Sequence, residues 1–180
     1  MKINVKIKRL SEEAVIPKYA HEFDAGFDLV ASETVIIAPG ETRIIPTGLA
    51  IALPPGYELQ VRPRSGITVR TKLRVQLGTV DCTYRGDVGV IVDNTSPIGG
   101  FVENNEYCRT VSKRALLING ERSDSFGEWI NANTYLIRKG DRIAQAVINQ
   151  VEQAQFQVVE ELDETSRGAG GFGSSGVTSE

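Results

Sequence analysis

Three short segments carry side chains that can bind an anion or act on one. Arg64-Ser65-Gly66 follows Pro63 at the end of a strand pattern, where guanidinium, hydroxyl and backbone N–H groups can face a phosphate. Further along, Asp81 can act as a general base toward water, and the ring of Tyr84 can pack flat against a sugar. Taken separately, each segment is equally compatible with an ordinary turn and its surface residues.

The third segment is the glycine-rich stretch that follows Arg167. It matches the dinucleotide-binding pattern G-x-G-x-x-G, but that pattern requires a strand before it and a helix after it, and neither is indicated here. One arginine and one aromatic among glycines instead suit a flap, in which Arg167 meets a phosphate and Phe172 stacks on a base. The alternative is a terminal segment without fixed structure.

The elements that must position these residues are predicted to be short β-strands. Residues Lys2 to Arg9 alternate between apolar and polar, and β-branched runs separated by Pro and Gly turns follow. No helical pattern of ordinary length lies between the runs, which favours a closed or double-sheet all-β fold. The predicted strands are Thr34 to Ile37, Thr42 to Ile45, Gly48 to Leu53, Tyr57 to Arg62, Leu73 to Leu77 and Val88 to Val92, and the regular pattern resumes from Tyr135 to Val151.

Residues 95–134 interrupt this pattern with polar residues and isolated large apolar groups, and they are interpreted as an insertion or small subdomain. The capping-box spacing from Ser125 to Glu128 predicts a short helix there, although Gly127 weakens it. The predicted organisation is therefore a core of residues 1–94 and 135–166, the insertion, and a flexible flap of residues 167–180.

Composition excludes several classes of protein. A net charge of −3 and a pI near 5.4 argue against gripping long nucleic acid, and no apolar run suggests a membrane segment. The two cysteines, Cys82 and Cys108, and the single His21 lack zinc-ligand spacing, although a hard metal bound through oxygen atoms is still compatible. A soluble, cytoplasmic protein is expected.

Taken together and in order, these segments resemble the five sequence motifs of the trimeric dUTPase family, over nearly the whole chain apart from the insertion. The matching segments are Ala25 to Leu29, Pro63 to Gly66, Gly78 to Gly89, Gly140 to Gln145, and Arg167 to Gly176. The resemblance implies a distorted jelly-roll β-barrel and hydrolysis of dUTP to dUMP and pyrophosphate, which keeps uracil out of DNA and supplies dUMP for dTMP synthesis.

The resemblance also implies roles for individual residues. Asp81 would orient and deprotonate the attacking water, Tyr84 would underlie the deoxyribose, and Asp28 would lie near Mg²⁺, contacting it through water. Main-chain groups of the hairpin between Gly78 and Gly89 would read uracil. The phosphate chain would be contacted by Arg64, Ser65, Gly66 and Gln145, and the tail would close over it. The implied substrate-binding residues are Arg64, Ser65, Gly66, Gly78, Thr79, Val80, Tyr84, Gly89, Gln145, Arg167, Phe172, Gly173 and Ser174.

Three further expectations follow from the resemblance. The active site would be assembled from three subunits, with the tail of one chain crossing to another. Many bacterial members carry an asparagine where this chain has Val75, so uracil recognition is expected to depend more on the backbone, with Gln76 as a partial substitute. The insertion resembles those of bacteriophage dUTPases and is interpreted either as a surface elaboration or as a docking surface for a protein partner. The alternatives considered for the whole chain are a dCTP deaminase of the same fold and a nucleotide-sensing regulatory protein.

Overall fold

The computed structural model describes residues 3–103, 106–125 and 127–171, and these residues form an almost entirely β structure. Within this part of the chain there are sixteen strands and one short helix. Their bounds are β1 (Lys6–Arg9), β2 (Phe27–Val30), β3 (Val35–Ile37), β4 (Thr42–Ile45), β5 (Leu49–Ala52), β6 (Tyr57–Arg62), α1 (Ser65–Arg70), β7 (Leu73–Val75), β8 (Gly78–Asp81), β9 (Val90–Asn94), β10 (Gly100–Glu103), β11 (Glu106–Arg109), β12 (Val111–Ser112), β13 (Leu116–Leu117), β14 (Ile130–Asn131), β15 (Tyr135–Ile137) and β16 (Arg142–Gln150).

The all-β prediction is confirmed, and each predicted strand corresponds to an observed one. β4 and β6 have the predicted bounds, whereas β1, β3, β5 and β7 are shorter than predicted and β9 begins two residues later. The alternation at the start of the chain is real, because Val5 and Ile7 pack against the main core while Lys6 and Lys8 are exposed. β2 was not predicted as a strand.

The longest strand, β16, organises the sheet that carries most of the candidate site. The sheet has the order β2-β16-β6-β8, and all its pairs are antiparallel. In its registers, Gln145 lies between Asp28 on one neighbour and Arg62 on the other. The pairing with β2 shifts between Arg142 and Ala144, so a bulge re-aims the first residues of β16.

The remaining barrel strands form smaller sheets around one apolar core. Their orders are β4-β9-β7, β13-β15-β3 and β1-β5. Fully buried aliphatic side chains from nine of the described strands meet in this core, each contributing on the order of 1.5–3 kcal/mol when removed from water. The largest of them are Leu29, Ile37, Ile45, Leu49, Ile51, Leu59, Leu73, Ile137 and Ile143.

The helix α1 was not predicted, because its residues have poor helix propensity. Gly66 and the β-branched residues that follow favour other conformations in isolation. Two threonine hydroxyls support the turn by donating back to carbonyl oxygens four residues earlier, from Thr68 to Arg64 and from Thr71 to Ile67. Ile67 is buried in the main core, so tertiary packing overrides the local preference.

The inserted residues form β-structure and not the helix predicted near Ser125. Gly127 has φ +77°, and its N–H donates to the Ser125 hydroxyl at 3.3 Å, which makes a tight turn where the helix was expected. The chain then enters β14, where Ile130 pairs with Ser112. Phe126 lies outside the described residues.

The insertion is also joined to the barrel and does not stand apart from it. Its strand β13 pairs in parallel with β15, and Leu116 and Ile118 pack against the main core. By contrast, among the strands that the structure describes, β10 and β11 pair only with each other, in antiparallel register. The insertion therefore has an outer part and an inner part that belongs to a barrel sheet.

Candidate active site

A cavity of about 360 Å³ opens where β2, β16 and the start of α1 meet. It brings together five residues that the sequence analysis named: Asp28, Arg64, Ser65, Gly66 and Gln145. Arg142 and the turn before β2 complete its wall, the latter through Ala20, Asp24, Ala25 and Gly26. Segments distant in sequence thus meet here because β16 lies between β2 and β6.

Asp28 holds the two arginines of this cavity in place. Its Oδ1 lies 2.9 Å from Arg64 Nε, and its Oδ2 lies 3.1 Å from Arg142 Nη1. Arg64 Nη1 also donates to the Arg142 carbonyl oxygen at 2.9 Å. The wall of the cavity thus holds two arginines and two aspartates, Asp24 and Asp28, and the guanidinium groups that Asp28 orients can donate to an anionic ligand.

Gln145 and Gly26 define the floor of the cavity. Gln145 Nε2 donates to the Pro63 carbonyl oxygen at 2.9 Å, which ties β16 to the turn before α1. A Cβ on Gly26 would lie 3.1 Å from the Ala146 carbonyl oxygen and 3.2 Å from Gln145 Oε1. A larger residue at position 26 would therefore push against β16 and displace the Gln145 side chain.

Asp81 lies at the end of β8, where its backbone is paired with Glu58 of β6. Its side chain is exposed, and among the described residues its carboxylate has no hydrogen bond or ion pair. Such a carboxylate is free to accept a proton from water. The other β8 residues named by the sequence analysis, Gly78, Thr79 and Val80, precede it on the same strand.

The loop after β8 fixes the ring of Tyr84. Tyr84 Oη donates to the Asp87 carbonyl oxygen at 3.1 Å, and a Cβ on Gly86 would lie only 2.3 Å from that Oη. Asp87 is itself anchored, because its Oδ1 accepts from Leu49 N–H at 3.1 Å. Gly89 lies against Ile44, where a Cβ would come within 2.5 Å of a methyl group.

Asp81 and the cavity at Asp28 lie in different parts of the same sheet. The sheet register places them four residues apart along the strands and three strands apart across them. With ordinary strand geometry these offsets are about 13 Å and about 14 Å. One chain therefore presents two separate groups of site residues.

Arg167 lies in the exposed terminal segment and is not among the residues that line the cavity. Its Nε donates to the Gly170 carbonyl oxygen at 2.9 Å, and Gly168 N–H donates to the Thr165 carbonyl oxygen at 3.1 Å, so its turn is local. Phe172, Gly173 and Ser174 lie outside the described residues.

The structure adds one residue to the cavity and shows the surroundings of another that the sequence analysis named. Arg142 lies in the fourth motif segment and lines the cavity, but the sequence analysis does not assign it to the site. Its position, three residues before Gln145 in the same motif segment, could have indicated it. Gln76 was considered a substitute for the missing asparagine, yet its amide donates to the Asp93 carboxylate, while Val75 is buried in β7. The Gln76 side chain is nevertheless exposed, so its contact with a base stays a prediction.

Two chemical features of the described residues bear on metal and membrane binding. They contain no group of three or more His, Cys, Asp and Glu side chains arranged to hold a metal ion. The part of the chain that the structure describes has no helix with the length and apolarity required to cross a bilayer.

Comparison with known proteins agrees with this arrangement. The family model for dUTPase matches residues 12–99 and 130–176. The deoxyuridine 5'-triphosphate nucleotidohydrolase of Thermobifida fusca is 41% identical over 176 residues, which cover 97% of this chain and 79% of that protein.

Solved structures give the same result. A mutant of the Staphylococcus bacteriophage 80alpha dUTPase with dUpNHpp matches with a TM-score of 0.88 and 31% identity, covering 98% of this chain and 100% of that one. A mutant dUTPase from phage phi11 of S. aureus, described with a structural Mg(II) ion, matches with a TM-score of 0.81 and 30% identity, covering 90% and 100%.

A jelly-roll β-barrel with an arginine-lined cavity between its motif segments, together with these matches, places the chain among nucleotide-hydrolysing enzymes. The chain belongs to the dUTPase family. It hydrolyses dUTP.

Proposed function

We propose that hydrolysis occurs between chains, with Asp81 of one copy acting on a nucleotide whose phosphates are held by the cavity of another. The observation that carries this proposal is the separation of Asp81 from Asp28 within one chain, about 13 Å along the sheet and about 14 Å across it. A catalytic carboxylate must lie within hydrogen-bond reach of the water it activates. A second copy can bring the two groups together.

In this proposal Asp81 orients and deprotonates the water that attacks the α-phosphorus in line. The exposed, unpaired carboxylate at the end of a paired strand supports the role, because its backbone is fixed while its oxygen atoms stay available. The attack forms the bond from water oxygen to phosphorus and breaks the bond to the β-phosphate, releasing dUMP and pyrophosphate.

The phosphate chain is assigned to Arg64, Ser65, Gly66 and Gln145. Arg64 is oriented by Asp28, and Ser65 and Gly66 line the same cavity, where a hydroxyl and a backbone N–H can donate to phosphate. Guanidinium and backbone N–H groups fixed in advance stabilise the charge that develops on the departing phosphates.

The nucleoside is assigned to the β8 hairpin of the copy that supplies Asp81. Tyr84, held by Asp87 and packed against Gly86, presents a fixed ring to the deoxyribose, which leaves no room for a 2′-hydroxyl. Uracil is read by main-chain groups of Gly78, Thr79, Val80 and Gly89. The side chain of Val75 is buried and the Gln76 amide donates to Asp93, so we assign uracil recognition to the backbone.

Mg²⁺ fits this site as an ion that accompanies the triphosphate. Both oxygen atoms of Asp28 are paired with arginines, so Asp28 would contact the ion through water, in keeping with the reluctance of Mg²⁺ to lose its hydration shell. When bound, the ion neutralises phosphate charge and stabilises the leaving pyrophosphate.

A homotrimer is the assembly we assign. Ile44 and Ile91 face each other across β4 and β9 and are both exposed, with Ile44 at 66%. Such an apolar pair on the outer face of a sheet suits burial against other copies. The tail of a third copy would then close over the nucleotide through Arg167, Phe172, Gly173 and Ser174.

Residues 95–134 are assigned a second role as a docking surface for a protein partner. Trp129 is 65% exposed, and Lys113 Nζ lies 5.0 Å from the centre of its ring. Exposed tryptophan beside a cation is common at binding surfaces. In the cytoplasm of a cell that makes DNA, the enzyme would keep dUTP low while this surface binds the partner.

Two experiments test the proposal: one compares nucleotide substrates, and the other mixes two variant chains. Purified protein with Mg²⁺ is expected to release pyrophosphate from dUTP and very little from dCTP or dTTP, without releasing ammonia. The Asp81→Asn and Arg64→Gln variants are expected to be nearly inactive alone and to regain activity when unfolded and refolded together. Ammonia release from dCTP would contradict the substrate assignment, and failure of the mixture to regain activity would contradict a site shared between copies.

A further inference from the structure

Thr47 is a fully buried polar residue in the corner between β4 and β5, with a relative exposure of 0%. Its hydroxyl can donate to the Val88 carbonyl oxygen at 2.8 Å or to Asp87 Oδ1 at 3.2 Å. The same hydroxyl accepts from the Leu49 N–H at 3.3 Å. A buried hydroxyl costs free energy unless it is hydrogen-bonded, and here each of its hydrogen-bonding functions has a partner.

Asp87 supplies the second half of this network, from the loop that follows β8. Its Oδ1 also accepts from the Leu49 N–H, at 3.1 Å, and the Val88 N–H donates to the Leu49 carbonyl oxygen at 2.8 Å. The loop and the start of β5 are therefore joined by side-chain and main-chain hydrogen bonds together. We call the Thr47 hydroxyl and the Asp87 carboxylate the threonine latch.

The corner that carries Thr47 is held in place by the rest of the barrel. Gly48 has φ +67°, and a Cβ there would lie 2.7 Å from the Ser11 hydroxyl oxygen, so the chain is closely packed at this point. The hydroxyl and the N–H of Ser32 both donate to the Pro46 carbonyl oxygen, at 3.1 Å and 2.9 Å. The threonine latch thus ties the loop after β8 to a fixed point.

At its other end the threonine latch reaches the ring of Tyr84. Tyr84 Oη donates to the carbonyl oxygen of Asp87, the residue whose carboxylate belongs to the latch. The ring also lies over Gly86, where a Cβ would come within 2.6 Å of Tyr84 Cζ. Because 47% of Tyr84 is exposed, packing holds only part of the ring, and the hydrogen bond at its tip helps to set its position.

We propose that Thr47 is a positioning residue for sugar selection, which holds Asp87 so that Asp87 in turn holds the ring of Tyr84. The inference rests on the role proposed above for Tyr84, the exclusion of a 2′-hydroxyl. Thr47 acts through the latch, because its side chain has no exposed surface with which to touch a nucleotide. A small movement of the ring opens space for a hydroxyl, since contact energies change steeply with distance.

A threonine with a purely structural role would behave differently. Loss of its hydrogen bonds would lower the free energy of unfolding and leave the discrimination between dUTP and UTP unchanged. Discrimination between two substrates is the ratio of their kcat/KM values. This ratio, measured by pyrophosphate release from dUTP and from UTP, therefore separates a positioning role from a structural one.

Two substitutions of Thr47 form the central test. Thr47→Val keeps the shape of the side chain and removes the hydroxyl, and we expect the ratio for dUTP over UTP to fall by about tenfold or more. A higher KM for dUTP should account for most of this fall, because the ring that receives the deoxyribose has moved. Thr47→Ser restores the hydroxyl and is expected to keep a ratio close to that of the wild type.

Thr134→Val is the matched control. Thr134 is also a buried threonine, with 3% exposure, and its hydroxyl donates to the Asn131 carbonyl oxygen at 2.6 Å. Its partner lies in the insertion, so its loss should lower Tm and leave the ratio for dUTP over UTP at the wild-type value.

Asp87→Ala tests the threonine latch from the side of the loop, and it leaves the buried corner untouched if Thr47→Val does not fold. We expect it to lower the ratio for dUTP over UTP as Thr47→Val does. Since both residues act along one path, a chain with both substitutions should show no larger fall than either one alone.

Three outcomes would overturn the proposal. They are a wild-type ratio in folded Thr47→Val or in Asp87→Ala, a ratio in Thr47→Ser as low as that in Thr47→Val, and effects that multiply in the double variant. Tyr84→Leu separates this inference from the role of Tyr84 on which it rests. A wild-type ratio in Tyr84→Leu would remove Tyr84 from sugar selection, whereas a low ratio there beside a wild-type ratio in Thr47→Val would remove only Thr47.

Discussion

At the scale of single residues, Asp81 combines a fixed backbone with an unpaired carboxylate. We expect Asp81→Asn to lower kcat by about 10²- to 10⁴-fold, because the amide cannot accept the proton of the attacking water. KM should change little, since the phosphate-binding residues are untouched. Steady-state pyrophosphate release measures both constants.

The matched control is Asp124→Asn, an exposed aspartate of the insertion, which should leave both constants near wild type. Turnover of Asp81→Asn close to that of the control would remove Asp81 from the role of base.

Gly86 has a residue-scale consequence of its own, because it packs against the ring of Tyr84. Adding a methyl group there would place Cβ 2.3 Å from Tyr84 Oη and force the ring to move. Overpacking of this kind costs about 1–3 kcal/mol, so Gly86→Ala should raise the KM for dUTP by roughly tenfold. Activity toward UTP should rise relative to dUTP as the fit to deoxyribose loosens.

Gly99→Ala is the control, since its Cβ would meet only Thr110 at 3.4 Å. An unchanged ratio of dUTP to UTP activity in Gly86→Ala would mean that Tyr84 does not exclude the 2′-hydroxyl.

At the scale of elements, the insertion divides into a separable and an integral part. The antiparallel pair of β10 and β11 has no other partner among the described strands. Thr110 N–H donates to the Gly99 carbonyl oxygen at 2.9 Å, so the two ends of this pair already meet. Replacing residues 100–109 with a two-residue Asn-Gly turn should leave dUTPase activity and Tm nearly unchanged. Thermal unfolding and steady-state kinetics measure the result.

The inner part should behave in the opposite way. Leu117→Ala removes a buried side chain of β13 beside β15 and should destabilise the protein by about 2–5 kcal/mol. If excising the hairpin cost as much as Leu117→Ala, the division of the insertion into two parts would be wrong.

At the scale of the whole molecule, the separated groups of site residues require assembly. Ile44→Glu places a charge in the apolar pair with Ile91, and we expect it to shift the protein from trimer to monomer with loss of activity. Analytical ultracentrifugation and pyrophosphate release measure the two effects together. Val111→Glu, on an exposed strand of the insertion, should stay trimeric. A fully active monomer would contradict the shared site.

The contribution of the flap to turnover is also a property of the whole assembly, and truncation of the chain tests it. A chain that ends at Ser166 should fold and form trimers. Its turnover of dUTP should fall by about 10²-fold or by a larger factor, because Arg167 and the glycine-rich segment are missing and cannot contact the phosphates. A chain that ends at Gly176 keeps the whole segment and should remain active. Equal turnover of the two truncated chains would show that the flap is dispensable.

The sequence by itself determined the class of fold and five of the residues that line the cavity. Alternation and Pro-Gly turns are local signals, so β4 and β6 were predicted with their observed bounds. The motif segments are recognised by the types and order of their residues, which are properties of the sequence. Five of the residues predicted in this way line one cavity.

Only the tertiary structure decided the helix at Ser65, the turn at Gly127 and the pairing of Asp28 with Arg142. Each depends on partners that are distant in sequence: the core that buries Ile67, the strand that pairs with Ile130, and the bulge that turns Arg142 toward β2. The distance between Asp81 and Asp28 is likewise a property of sheet register. Local sequence patterns do not encode such non-local contacts, because their free energy appears only when the chain has folded.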